Sequence, residues 1–254
     1  MSKKRLRIFA GPNGSGKSTF IKEFESSDPR YKLGVYVNAD EIEKKLKIER
    51  SLDINQYKIQ FTTYEIQNFF RLSQFSPKKS DILDLWKYFS VTDSKLCIDE
   101  NLEINSYIAA DLAEFLRQKL LEANISFSFE TVMSDKRKLD FLKKAKEADY
   151  VIYLYFFCTV DPEINKNRVE IRVKENGHNV PPGKIEERYY RSLDNLKEAI
   201  RLSNRAYLFD TSSDTFETLL FAGVTNGVEV EKFTPNKVPS WFINYVVEKN
   251  SPPR

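Results

Sequence analysis

The sequence predicts an α/β fold, a mainly parallel five-stranded sheet flanked by helices. Three observations predict it. Strand-like apolar runs alternate with helical stretches, one apolar run of eight residues sits mid-chain, and a glycine-rich loop joins the first strand to the first helix. The expected strands are residues 5–10, 34–38, 126–129, 150–157 and 205–209. Helical stretches fall at 40–47, at 135–148 and twice between 161 and 202. The run from Tyr150 has the uniform hydrophobicity of a central strand covered on both faces.

Residues 11–18, GPNGSGKS, fit the pattern G-x-x-x-x-G-K-[ST]. The run before them, RLRIFA, has the character of a strand, and TFIKEF after them that of a helix start. In that context successive backbone N–H groups curl round phosphates while the positive end of the helix dipole faces them. Gly11, Pro12, Asn13, Gly14, Ser15, Gly16, Lys17, Ser18 and Thr19 are therefore the expected nucleotide-binding set. Lys17 is expected on the β and γ phosphates and Ser18 on Mg²⁺, with ATP as the nucleotide. The fold expected is that of a P-loop NTPase or kinase.

The 254 residues suffice for a single domain, 1–254, carrying an insertion. Charged residues make up 30% with a net charge of only +3, which argues against a generic nucleic-acid coat. The two cysteines, Cys97 and Cys158, match no metal or redox spacing, and a single histidine excludes a histidine metal cluster. No targeting segment is visible, and the longest apolar run, 150–160, is shorter than the ~20 residues a membrane span needs. A cytoplasmic location is the expectation.

Residues 48–103 break the alternation. Tyr57, Phe61, Tyr64, Phe69 and Leu72 recur at helical spacing, as do Ile82, Leu85, Trp86 and Phe89, which predicts a helical insertion with a turn at 76–80. A C-terminal extension, 216–250, contains the alternating run 228–233 after Asn226-Gly227, which predicts an edge strand.

Ligands of open parallel sheets bind beyond the carboxyl ends of the strands. Asp40 and Glu130 both fall on that edge. Asp40 could instead cap the helix beside it. A carboxylate near a γ-phosphate can accept the proton of an attacking hydroxyl or hold the metal, and one acid for each task suits phosphoryl transfer to an alcohol. Asp161-Pro162-Glu163 is a strong helix start, and Arg168 and Arg172 then share a face. Arg188 flanks the apolar stripe of the next helix, whereas Arg191 points nearly away from it. Arginines late in such folds can close on the transferring phosphoryl group. Asp210-Thr211-Ser212-Ser213, after the last strand, could border the base or cap a helix.

With these residues in hand, the chain resembles the zeta-toxin family of small bacterial phosphate-loop kinases, and its compact branch more closely. The matching stretches are AGPNGSGKST (10–19), VNADEI (37–42), SFSFETVMS (126–134), Arg168-Val169 with Arg172-Val173, GHNVP (177–181) and RYYRSLDNL (188–196). Val132 stands where that branch repeats threonine, Asn176 where it has a second glycine, and the 48–103 insertion is foreign to it. The resemblance implies a Mg-ATP-dependent kinase that phosphorylates a hydroxyl of UDP-N-acetylglucosamine and is restrained by an antitoxin protein. It implies Lys17 on the phosphates, Ser18 on Mg²⁺ and Asp40 as the base. It further implies Glu130, with Thr131, at the substrate, and clamping arginines from the two late helices. The second clamp is open among Arg172, Arg188 and Arg191, and His178 reads as a structural group near it. The alternatives are kinase action on another small alcohol, or an ATP-binding switch with slow hydrolysis that acts through a protein partner.

Overall fold

The structure, a computed structural model, describes residues 3–27, 33–73, 75–76, 82–174, 180–213, 219–232 and 238–248. Its main sheet is mostly parallel and has seven strands. These are β1 (Arg5–Ala10), β2 (Val35–Val37), β6 (Phe127–Thr131), β7 (Val151–Cys158), β8 (Arg205–Asp210), β9 (Leu219–Thr225) and β10 (Glu229–Lys232), in the order β10-β9-β8-β7-β1-β6-β2. The five expected strands are present, and β9 and β10 of the C-terminal extension add two. The chain divides into two compact units, Met1–Leu33 with Glu130–Arg254, and Gly34–Phe129.

In the first unit β7 pairs in parallel with β1, Ile8 opposite Leu154, and with β8, Phe156 opposite Leu208. Residues Phe156, Phe157 and Cys158 are fully buried, as the uniform hydrophobicity of that run requires. Helix α1 (Lys17–Ser27) is pinned by aromatic packing: Phe20 lies 4.9 Å from Phe157 and 5.0 Å from Phe209, and Phe24 lies 5.7 Å from Tyr155. Asn226 and Gly227, at φ 51° and 72°, make the tight turn that folds β10 back on β9 at the sheet's edge, where the sequence placed a strand. Trp241 packs 5.9 Å from Phe156 and 5.3 Å from Phe221.

In the second unit β2 runs parallel to β6 and leads into α2 (Ala39–Glu49). The segment 48–103 is not all helical. It holds β3 (Ser51–Asp53), α3 (Thr63–Leu72), β4 (Phe89–Thr92) and β5 (Lys95–Ile98), with the three strands forming an antiparallel sheet β3-β5-β4. The spacing of Ile82, Leu85, Trp86 and Phe89 is met by a short 3₁₀ turn, Leu85–Tyr88, followed by a strand. Asp84 at φ 54° precludes a continuous helix there, and Asp93 and Ser94, at φ 51° and 58°, form the two-residue hairpin turn that joins β4 to β5. Phe70 stacks on Phe89 with centroids 4.0 Å apart, so the insertion has its own core.

Helix α4 (Ser106–Glu122) lies where the sequence reading placed none. Asn105 caps it by accepting from Tyr107 and Ile108 N–H at 3.0 and 3.1 Å. Its apolar stripe is masked by buried charge. Asp111 accepts from Ser76 N–H and both Ser73 and Ser76 hydroxyls, and Glu114 pairs with Arg117 at 2.6 Å. Among the described residues no helix is long and apolar enough to cross a membrane. The turn expected at 76–80 and the Gly177-His178-Asn179 segment fall largely or wholly outside the described residues.

Helix α3 begins with a capping box of Thr62 and Glu65. The ammonium of Lys119, 2.7 Å from Glu65, and the Thr62 N–H, also 2.7 Å away, hold the Glu65 carboxyl at about 2, down from 4.5. A lowered acid contributes stability above its unfolded value and loses it as pH falls through the folded one. The urea midpoint should therefore fall between pH 4.5 and about 2 with a component that Glu65→Gln removes. Because Glu65 is 40% exposed, that component is a modest part of the whole.

Candidate active site

The loop after β1 has the conformation a phosphate cradle needs. Gly11 sits at φ 143°, and a Cβ there would strike the carbonyl oxygen of Phe157. The Gly11 N–H donates to Thr131 O at 3.2 Å, which fastens the loop's start to the end of β6. The Lys17 side chain is only 6% exposed, and its Nζ donates to the carbonyls of Gly11 and Pro12, each at 2.8 Å. The backbone N–H groups of Asn13, Gly14 and Gly16 meet no acceptor among the described residues. A curl of unclaimed donors beside a buried ammonium is suited to an anion.

Glu130 arrives on the same loop from β6. Its carboxylate accepts from the Ser18 hydroxyl at 3.0 and 3.1 Å and lies 4.0 Å from Lys17 Nζ. Of the two acids expected at the working edge, Glu130 is thus set against the phosphate loop. The Thr131 hydroxyl accepts from Met133 N–H at 3.1 Å, shaping the turn after β6. Thr19 is exposed in the first turn of α1. Ser18 and Glu130 offer only oxygen donors, the set a hard cation such as Mg²⁺ prefers. No group of three or more His, Cys, Asp or Glu residues among the described residues could hold a metal by itself.

The arginines lie on α6 (Pro162–Lys174) and α7 (Pro182–Leu202), with α5 (Arg137–Glu147) earlier in the same unit. Val169, Val173, Val180 and Ile185 pack α6 on α7. Arg168, Arg172 and Arg188 are half-buried, and Arg168 donates to Ser213 O at 2.9 Å. Arg191 is exposed and paired with Glu187 at 2.9 Å along the helix. Asp210 accepts from the N–H and hydroxyl of Ser212, so it shapes the loop after β8.

Sequence reasoning passed over a buried polar group at the base of α6. Asn165, fully buried, donates from Nδ2 to Asn13 O at 2.6 Å and accepts at Oδ1 from the Thr159 hydroxyl. Thr159 O accepts from the Tyr189 hydroxyl of α7 at 2.6 Å. Burial pushes the Tyr189 phenol and the neighbouring Cys158 thiol well above their ordinary values, so both stay protonated. The signal available was the helix start at Asp161, which places Asn165 one turn along on the sheet's working edge.

Asp40 belongs to the second unit. It is exposed in the first turn of α2, and the cap of that helix is Asn38, whose Oδ1 accepts from Asp40 N–H at 2.9 Å. The capping alternative for Asp40 is thereby removed. Beside this turn lies a cavity of about 160 Å³ lined by Tyr36, Asn38, Glu41, Lys45, Gln56 and Tyr57. Burial, and then the Glu41 carboxylate, push the Tyr57 phenol up to about 12.

Gly14, at φ 76°, faces the first turn of α6, and a Cβ would sit 2.6 Å from Asn165 O. Gly14→Ala should therefore displace the loop. Nucleotide affinity measured by calorimetry is expected to fall about tenfold or more, against no loss for Gly183→Ala, where a Cβ meets nothing within 4 Å. Lys17→Ala should remove nucleotide binding with the far-ultraviolet spectrum unchanged.

No protein-family model matches the chain, and no curated protein matches it. Solved structures do. The AvrRxo1-ORF1:-ORF2 structure with ATP is similar at 14% identity and a TM-score of 0.55, over 91% of this chain and 61% of that one. A structure of the PezAT chromosomal toxin–antitoxin system of Streptococcus pneumoniae is similar at 15% identity and a TM-score of 0.51, over 98% of this chain and 81% of that one. This chain thus spans less than two thirds of the AvrRxo1 chain it matches. Likeness at such identity speaks for architecture: this chain has the α/β fold of those two solved structures, a mostly parallel sheet flanked by helices.

Proposed function

We propose that the chain is a Mg-ATP-dependent kinase that transfers the γ-phosphate to a hydroxyl of a small molecule, with UDP-N-acetylglucosamine the first acceptor to test. The observation that carries the reading is the joining of Lys17, Ser18 and Glu130 at a loop with unclaimed backbone N–H groups. In this reading the N–H groups and Lys17 bind the phosphates, and Ser18 and Glu130 hold Mg²⁺. When bound, Mg²⁺ offsets the negative charge of the β and γ phosphates. Glu130 then serves the metal side, and the substrate role that the resemblance implies for it passes to other groups.

Asp40 is the proposed base, taking the acceptor's hydroxyl proton as the oxygen attacks. Arg168, Arg172 and Arg188 are the proposed clamps on the transferring group, and Arg191, already paired on the surface, is set aside. The cavity beside α2 is proposed to receive the acceptor, since its amide, phenol, carboxylate and ammonium groups suit a hydroxyl-rich molecule. An antitoxin partner is proposed because one structural neighbour is a toxin–antitoxin system.

The test is transfer from γ-labelled ATP, wild type beside Asp40→Asn. Label should pass to the acceptor in wild type and drop by about 10²–10⁴-fold in the variant, with ATP affinity kept. Hydrolysis without transfer to any hydroxylated acceptor, unchanged by Asp40→Asn, would sink the kinase reading.

A further inference from the structure

The loop peptide between Asn13 and Gly14 is held from outside the loop. A trans peptide is planar, so the Asn13 carbonyl and the Gly14 N–H point in opposite directions. Asn165 Nδ2 donates to that carbonyl at 2.6 Å, which turns the carbonyl to α6 and the N–H away from it. The Gly14 N–H has no acceptor among the described residues, so it is left for a ligand oxygen. Rotation of the peptide would reverse this, presenting a carbonyl's negative end to the phosphates in place of a donor.

Asn165 is itself held in one orientation. The Asn13 carbonyl can only accept, so the NH₂ group is the end that faces the loop, and Oδ1 lies against the Thr159 hydroxyl, which also reaches Asp161 O at 3.0 Å. The side chain is fully buried, and Thr159 is fixed in turn through its carbonyl by the Tyr189 hydroxyl at 2.6 Å. Gly14 packs on the Asn165 backbone closely enough that no side chain fits between them.

We infer that Asn165 is a positioning residue for the nucleotide: it keeps the 13–14 peptide turned so that the Gly14 N–H is offered to the phosphates, and the Thr159 hydroxyl at Oδ1 seats its side chain. The inference rests on the phosphate-loop reading of residues 11–18. Asn165→Asp preserves shape while replacing the donor by an oxygen that repels the Asn13 carbonyl. Thr159→Val leaves the buried Asn165 Oδ1 without its hydroxyl partner and loosens the seat of the side chain.

The experiment is ADP titration of the full chain by calorimetry, with the Gly14 amide resonance followed by NMR and the thermal midpoint as a control. Wild type, Lys17→Ala, Asn165→Asp, Thr159→Val and the Asn165→Asp/Thr159→Val double variant are compared. Folded Asn165→Asp should lose about tenfold or more in affinity, the loss expected for one missing donor to a charged ligand, and its thermal midpoint should fall because a fully buried amide becomes a carboxyl. The ADP-induced shift of the Gly14 amide proton should vanish with it. Thr159→Val should lose affinity in the same direction, and the double variant should be no worse than Asn165→Asp alone. Should Asn165→Asp not fold, Thr159→Val carries the test. Wild type that fails to bind ADP would overturn the nucleotide reading. Binding that Lys17→Ala abolishes, yet a folded Asn165→Asp or Thr159→Val retains with the Gly14 shift intact, would overturn this inference alone.

Discussion

A lysine ammonium that is 94% buried dictates much of the arrangement around it, because taking such a charge out of water costs several kcal/mol unless acceptors surround it. Lys17 is met by the carbonyls of Gly11 and Pro12 and, at 4.0 Å, by the Glu130 carboxylate. Two carbonyls turned to one ammonium bend the loop. That bend needs Gly11 at a φ only glycine tolerates, and it needs the end of β6 close enough to bring Glu130 in and to accept the Gly11 N–H. The place of β6 in the strand order and the glycine pattern are thus two expressions of one electrostatic demand.

The helix that follows has to be equally fixed, since a dipole stabilises an anion only when its N-terminus stays aimed. Phe20 and Phe24 supply this by docking α1 on Tyr155, Phe157 and Phe209, a contact of rings that leaves α1 little freedom to swing. On the other side of the loop, Asn165 and Tyr189 tie the bases of α6 and α7 to residue 13 and to the end of β7. The helix that carries Arg168 and Arg172 is therefore tied to the loop, and the one that carries Arg188 to the residue after β7. Arg168 donates to Ser213 O at 2.9 Å, a charge-assisted bond worth about 1.5–3 kcal/mol that ties α6 to the loop after β8.

What could be read in advance follows from how local each signal is. The loop, α1 and the strands β1, β2, β6, β7 and β8 are each specified by contiguous residues, as is the Asn226-Gly227 turn ahead of β10. The β4–β5 hairpin was missed because apolar residues at 82, 85, 86 and 89 satisfy a helical period by chance, while its true marker was the Asp93-Ser94 pair, less conspicuous than Asn-Gly. Helix α4 was missed for another reason: Asp111, Glu114 and Arg117 are buried with partners of their own, so charge interrupts the stripe that betrays a helix. At the site, Lys17 and Ser18 were legible from the motif. Asn165 was not, since its partner Asn13 lies 152 residues away and no local pattern marks an asparagine that serves a distant carbonyl.

The two carboxylates illustrate how a fold divides like groups by what the backbone already supplies. Asn38 takes the cap of α2, so the Asp40 carboxylate is not consumed by the helix end beside it and stands exposed. Glu130 instead accepts from Ser18 with both oxygens and lies 4.0 Å from the buried ammonium, so its oxygens are already engaged at the loop. A base must exchange protons with a substrate oxygen, whereas a metal-holding acid must not give up its partners during transfer. In the proposed function the exposed acid, Asp40, takes the first task and the acid held against Ser18, Glu130, the second. The asparagine two residues before Asp40 is what makes that division available.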